Sequence, residues 1–202
     1  MPADRTAKFE EQHLRLLDGL AASIREKGLA HTHVTDVVRH ARASRRTFYK
    51  HFPDKDSCLV ELVHLSATNI IQTVEAAIDL DAPRTIQIEQ AVDAYLSVLS
   101  GEPVLALALA SPAVGERIVR AQRDGLERFA HFLVSLTTGT TQISVECAYM
   151  LASGLRATAL RAIERGDELS HAGAEGKAVF KAVLGEPVAP ARPRRRAAVA
   201  AQ

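Results

Sequence analysis

The stretch from His33 to Lys55, HVTDVVRHARASRRTFYKHFPDK, limits the possible folds of this chain more than any other segment. Val34, Val37, Val38 and Ala41 recur at i, i+3, i+4 and i+7, so they share one face of a short helix. Arg42 and Ala43 then make a turn. Ser44 comes next as an N-cap, since its hydroxyl can accept a bond from the free N–H of Arg46 or Thr47. Arg45 to Phe52 form a second helix of two turns, in which Phe48 and Phe52 lie four residues apart and dock on a core. Pro53 ends it, and Asp54 caps the next helix. Two short helices across a tight turn leave Arg45, Arg46, Thr47, Tyr49, Lys50 and His51 to point elsewhere. That is a helix-turn-helix whose second helix has the chemistry to enter a DNA major groove.

The flanking sequence is helical throughout. Residues 5–27 carry Phe9, Leu16, Leu17, Leu20, Ala21 and Ile24 as an amphipathic helix that Gly28 stops. From Asp54, Leu59, Leu62, Val63, Ile70, Val74 and Ile78 keep helical period over six turns, long enough to link the first module to a second one. Pro83 marks a linker at 79–84, after which residues 85–100 form a fifth helix. Pro103 opens the short apolar run PVLALALA, and Ser111-Pro112 reads as a cap and first turn of a helix reaching Leu136. Thr137–Thr141 is a loop. Residues 143–165 are nearly apolar all round, and 170–184 make the last helix. The expected fold is therefore all-α with about nine helices. A helix-turn-helix domain occupies 1–53, a second helical domain 54–185, and a disordered tail rich in Pro, Ala and Arg 186–202.

Charge respects the same division. Residues 1–56 hold 11 Lys/Arg against 8 Asp/Glu, net +3, whereas residues 57–185 hold 10 against 15, net −5. The tail holds 4 against 1, net +3. A basic module on an acidic body fits DNA binding joined to sensing or dimerisation. No apolar run is long enough to span a membrane, and the charged N-terminus has no signal-peptide core, so a cytoplasmic protein is expected. Cys58 and Cys147 sit in apolar helical patterns, as buried free thiols do. His31-x-His33 supplies only two ligands with no acid or thiol cluster beside it, so no metal site is expected. No nucleophile–base pair or phosphate loop is present to suggest an enzyme, and no cofactor motif occurs.

With these residues in view the chain resembles the TetR family of bacterial transcriptional regulators. The resemblance rests on GLAHTHVTDVVRHARASRRTFYKHFPDK from Gly28 to Lys55 with an apolar helix directly after it, and covers residues 9 to about 65 closely. Three positions depart from the usual pattern: His33 replaces a Thr, Val38 an Ala, and Arg42 the turn Gly. Arg42 must either take a positive φ at roughly 1 kcal/mol or bend the turn differently.

Arg45 and Arg46 begin the second helix, where a guanidinium can reach guanine O6/N7. Thr47 suits a thymine methyl or a phosphate, and Lys50 and His51 extend the polar face. Ser44 caps it at the groove edge. The resemblance implies that Tyr49 gives its hydroxyl to phosphate and that Lys55 grips phosphate at the start of the fourth helix; Thr35 should meet the DNA backbone too. If charged His51 or His40 met phosphate, DNA binding would weaken as pH rises through about 6–7.

Family resemblance further implies a ligand pocket within residues 80–185, regulation by its occupancy and, by default, repression. Tyr95, Leu99, Phe129, Phe132, Tyr149 and Met150 are the lining candidates, and Arg156 and Arg120 could meet an anionic ligand. Small residues at Ala148, Ala152, Gly154, Ala157 and Ala159 suit a homodimer through helices 143–165 and 170–184. Such a dimer would bind double-stranded DNA at an inverted repeat. The competing reading is a helical ligand-binding or protein-interaction dimer without specific DNA binding.

Overall fold

The computed structural model describes residues 2–111, 114–137 and 143–185, with side chains from residue 6 onward. Among them there are nine helices and no strand. They are α1 (Pro2–Lys27), α2 (Val34–His40), α3 (Arg45–His51), α4 (Lys55–Ala77), α5 (Arg84–Gly101), α6 (Pro103–Ala110), α7 (Glu116–Leu136), α8 (Val145–Arg165) and α9 (Ser170–Leu184). The all-α expectation holds. The Thr/Gly loop falls almost wholly outside the described residues, as do the Pro112 helix start and the basic tail. The helix expected to begin at Ser111-Pro112 instead begins at Glu116 with Gly115 as its N-cap, and Ser111 closes α6.

α2 and α3 have seven residues each, too few to be stable alone in water. Local caps and a shared core hold them. Ser44 Oγ accepts from the Thr47 N–H at 3.0 Å, and Asp54 accepts from the Ser57 N–H at 2.6 Å and from its hydroxyl at 2.7 Å. Asp36 accepts from the His33 N–H at 2.9 Å and from Lys27 at 2.6 Å, which ties the end of α1 to the start of α2. α1 and α2 approach so closely at Gly19 that a Cβ there would lie 2.6 Å from the Val37 carbonyl oxygen.

Two hydrophobic cores result. The first gathers Leu16, Leu17, Leu20 and Ile24 of α1, Val37 of α2, Phe48 and Phe52 of the α3 region, and Cys58, Leu59, Leu62 and Val63 of α4. It also takes Ile118 and Ala121 from α7. The second holds Val74 of α4 and Ile88, Val92, Tyr95, Leu96 and Leu99 of α5. Phe129, Ala130 and Leu133 of α7 join them, with Ala148, Leu151, Ala152 and Leu155 of α8 and Phe180 and Leu184 of α9. The link expected of the fourth helix is thus shared: α4 and α7 both run through both cores. They touch closely midway, where a Cβ on Gly125 would lie 3.0 Å from the Ala67 methyl. Burial pushes the Cys58 thiol up to about 12, so it remains protonated and inert.

No single described helix is long and apolar enough to cross a membrane. α5 and α6 reach that length only as a pair bent by 96°. Within α8, Ala148, Ala152 and Ala159 face the second core, whereas Gly154 and Ala157 are exposed.

Candidate nucleic-acid interface

The second motif helix, α3, is held by its ring side chains. Phe48 is 0% exposed, Phe52 is buried beside it, and their ring centroids lie 5.6 Å apart. With that face fixed, Arg45, Arg46, Tyr49 and Lys50 project outward and are exposed. Tyr49 is 57% exposed, its ring edge-on to Phe48 at 5.4 Å. None of Arg45, Arg46 and Lys50 has a hydrogen bond or ion pair among the described residues. Thr47 shares its hydroxyl with Ser44 at 2.9 Å, so these two act first as the cap of α3 and lie at its exposed start. Thr35 is exposed in the first turn of α2.

The cations behind this face are occupied. Lys27 is bonded to Asp36, and both Arg39 and His40 meet Glu26, with His40 Nε2 at 2.8 Å from its carboxylate. The His40 ring and the Arg39 guanidinium hold the Glu26 carboxyl below the usual range. Lys27 and then the His33 N–H do the same for Asp36. Lys55 Nζ donates to the Thr32 carbonyl at 2.8 Å, which fixes the ammonium at the N-terminus of α4 beside the motif.

Arg42 takes the positive-φ alternative, at φ 49°. Arg15 supports the turn by donating to the carbonyl of Ala41 at 2.5 Å and to that of Arg42 at 3.3 Å. The Arg42 side chain remains exposed at the edge of the α3 face.

His51 is a correction. Its ring stacks on Phe9 at 4.0 Å and lies 5.5 Å from His13, and neither buried ring nitrogen has a hydrogen-bond partner. Positions 48, 51 and 52 share one helical face, so His51 packs inward with the phenylalanines rather than outward with Lys50. Burial, with smaller contributions from His13 and Lys50, depresses its basicity. Neither histidine expected to meet phosphate when charged is free to do so: His51 is packed and His40 is bound to Glu26.

A second site lies where the two cores meet. A cavity of about 500 Å³ is lined by Asp18, Ala21 and Arg25 of α1, by α4 from Leu62 to Gln72, and by parts of α5 to α8. Of the residues expected to line a pocket, Tyr95, Leu99 and Phe129 do so; Phe132, Tyr149 and Met150 do not. Met150 is 67% exposed because the inward face of α8 is set by Ala148, Leu151, Ala152 and Leu155. Phe132 packs beside Phe129 with centroids 6.0 Å apart, and Tyr149 is half-buried at the edge of the second core. Sequence reasoning missed the α1 and α4 lining. It also missed the ion pair beside the cavity, where Arg25 donates to both Glu102 oxygens at 2.6 and 3.1 Å. Among the described residues no group of three or more acids, histidines and thiols is placed to hold a metal.

The chain thus joins a helix-turn-helix with an exposed cationic face to a helical body that borders a cavity. Residues 16–62 match the family of bacterial regulatory proteins known as the tetR family, and the N-terminal module belongs to it. Over more than four fifths of its length the chain has the same fold as solved structures. These include the transcriptional regulator FadR from Bacillus subtilis in complex with stearoyl-CoA (TM-score 0.67, 17% identity, covering 86% of this chain and 99% of that one). A TetR-like transcriptional regulator from Rhodococcus sp. RHA1 matches at TM-score 0.63 and 15% identity, over 87% and 97% of the chains. E. coli NemR in its reduced form matches at 0.70 and 14%, over 87% and 99%. No curated protein matches the sequence.

Proposed function

We propose that the protein is a cytoplasmic repressor that binds an inverted-repeat operator as a homodimer and leaves it when a small, mainly apolar effector fills the cavity. The observation that carries the reading is the contrast in pairing. Arg45, Arg46 and Lys50 stand exposed and unpaired on α3, while Lys27, Arg39 and His40 close behind are bonded to Asp36 and Glu26. Leaving Arg and Lys unpaired on a short polar helix surface suits phosphate and base-edge contacts. On this reading Arg45 or Arg46 reads guanine, Thr47 and Thr35 approach the backbone, and Tyr49 and Lys55 bind phosphate. Ser44 sets the start of α3. Arg42 adds a cation at the rim.

The dimer is supported by exposed small and apolar residues on the last two helices. Met150, Gly154 and Ala157 of α8 and Ala174, Ala178, Val179 and Ala182 of α9 face away from the subunit's own core. Effector coupling has a direct physical route, because three α1 residues line the same cavity as α5 to α8. A ligand that binds better to one tilt of the first core than to the other shifts the separation of two α3 helices. The FadR neighbour, solved with stearoyl-CoA, supports a ligand in this fold.

Footprinting on DNA flanking its own gene tests the reading. A protected inverted repeat, abolished in Arg45→Ala/Arg46→Ala protein, is expected. Lys55→Ala should flatten the salt dependence by about 2 units per dimer, one phosphate contact per subunit. Absence of any protected sequence would leave a helical ligand-binding dimer without an operator.

A further inference from the structure

The cavity is mostly apolar, and several of its polar lining groups have no partner among the described residues; Tyr95 and Arg156 are the ones set deepest among apolar neighbours. Tyr95 is 4% exposed and its hydroxyl has no hydrogen-bond partner among the described residues. Arg156 of α8, half-buried, lines the same space and has no ion pair or hydrogen bond among them. Of the other charged lining groups, Arg25 and Glu102 hold each other, and Asp18 has no partner but is exposed to water on α1. Gln122, also on the wall, donates to the carbonyls of Leu109 and Ser111. The Arg156 guanidinium reaches this space with no protein partner among the described residues, and a planar carboxylate is the group its fork fits best. Burial pushes the Tyr95 hydroxyl up to about 12, partly offset by the nearby Arg156 charge. Tyr95 is therefore a donor at neutral pH and lies within the field of Arg156.

We propose that the cavity takes an amphipathic carboxylate, whose anionic end pairs with Arg156 and accepts a hydrogen bond from Tyr95. Its apolar body lies against Leu62, Ile70, Leu99, Leu126, Phe129 and Leu160. The volume is within the range of pockets that enclose small ligands. The proposal rests on the reading of this cavity as the effector site and gives that effector a charge.

Calorimetric titration of the full chain with matched pairs tests it: decanoate against decanol, and naphthoate against naphthylmethanol. In at least one pair the acid should bind about ten- to a hundred-fold tighter than its alcohol, as expected for a charge-assisted bond. Arg156→Met should erase that preference without changing the affinity for the alcohol, and Tyr95→Phe should reduce it in part. Arg156→Gln serves if the Met variant does not fold, and the comparison in unsubstituted protein needs no variant. Equal binding of acid and alcohol, or a preference that survives loss of Arg156, overturns the carboxylate while leaving the cavity as an effector site. Uptake of neither member of either pair overturns both.

Discussion

Phe48 of the first core and Phe129 of the second are both buried aromatic residues on helices that carry function, yet they meet different surroundings. Phe48 has no exposed surface and packs among Leu16, Leu20, Ile24, Val37 and Leu59, each at most 1% exposed. Phe129 and its neighbours Tyr95 and Leu99 border about 500 Å³ of empty space. A closed core transmits no slack to the surface it supports, and a seven-residue helix carrying base contacts needs that rigidity. On the function proposed above, a hollow border would let the body take up a ligand and let two packings lie close in free energy. The molecule therefore carries the exposed α3 face on the dense half and has its cavity beside it.

That comparison breaks first at the two phenylalanines. Phe48→Ala should lower the free energy of unfolding by about 3–5 kcal/mol, because the closed core cannot collapse onto the void. Phe129→Ala, which extends a space already present, should cost less, about 2–3 kcal/mol. Denaturant unfolding at fixed protein concentration measures both. Equal losses would show that the second core is as closed as the first in solution.

The next effect is functional and leaves the fold alone. Arg46→Ala and Arg45→Ala remove side chains with no internal partner among the described residues, so stability should change by less than about 0.5 kcal/mol. The substitution that removes a base contact should weaken operator binding by about 1–3 kcal/mol and relax the preference at one base pair. A loss of stability on the same scale would mean that these cations serve the closed half after all. Gel shifts against single-base operator variants distinguish the two.

Legibility in the sequence divides along the same line. Ser44, Phe48, Phe52, Pro53 and Asp54 act through neighbours a few residues away, so spacing alone placed the motif, its caps and its buried face. At Arg42 the sequence leaves a positive φ and a differently bent turn both open, and the structure takes the positive φ. His51 was misplaced even though the signal was present: it lies three residues from Phe48 on the inward face, while its polar type suggested the outward one. Phe9, read as a core residue of the first helix, is 49% exposed and serves as the lid of that ring. The cavity was poorly legible because it depends on long-range packing. Arg25 and Glu102 meet across 77 positions, and no local period announces such a pair. Choosing lining residues by aromatic or sulfur type found Tyr95 and Phe129 but also chose Met150, which the helical phase of α8 turns outward.

A smaller effect is expected at the seam between the halves. Arg25 and Glu102 are each nearly half exposed, so the pair should contribute only about 0.2–1 kcal/mol to stability. On the proposed coupling of cavity to DNA, its position beside the cavity gives it a larger part there. Glu102→Gln should leave folding within that range while changing how far a saturating effector weakens operator binding. Unchanged coupling would assign the contact to surface stability alone.

The smallest effect tests the closed half by acid. His51 packs as a neutral ring between Phe9, His13 and Phe52, with Lys50 beside it in sequence, and its folded pKa lies below the ordinary 6.5. Between that depressed value and about 6.5 the unfolded chain binds more protons than the folded one, so stability rises with pH. The contribution is fully present above about 6.5 and is lost as pH falls through the folded value. His51→Leu fills the same place without a titrating group and should flatten this part of the curve. Subtracting the variant's unfolding free energy from that of the unsubstituted protein, pH by pH, separates His51, together with its coupling to His13, from the His40–Glu26 pair, which both proteins retain. A charged His51 gripping phosphate would act in the opposite direction, tightening operator binding on acidification. If acid strengthens binding in the unsubstituted protein and not in His51→Leu, the ring leaves its pocket on DNA, and the first half is less closed than its packing implies.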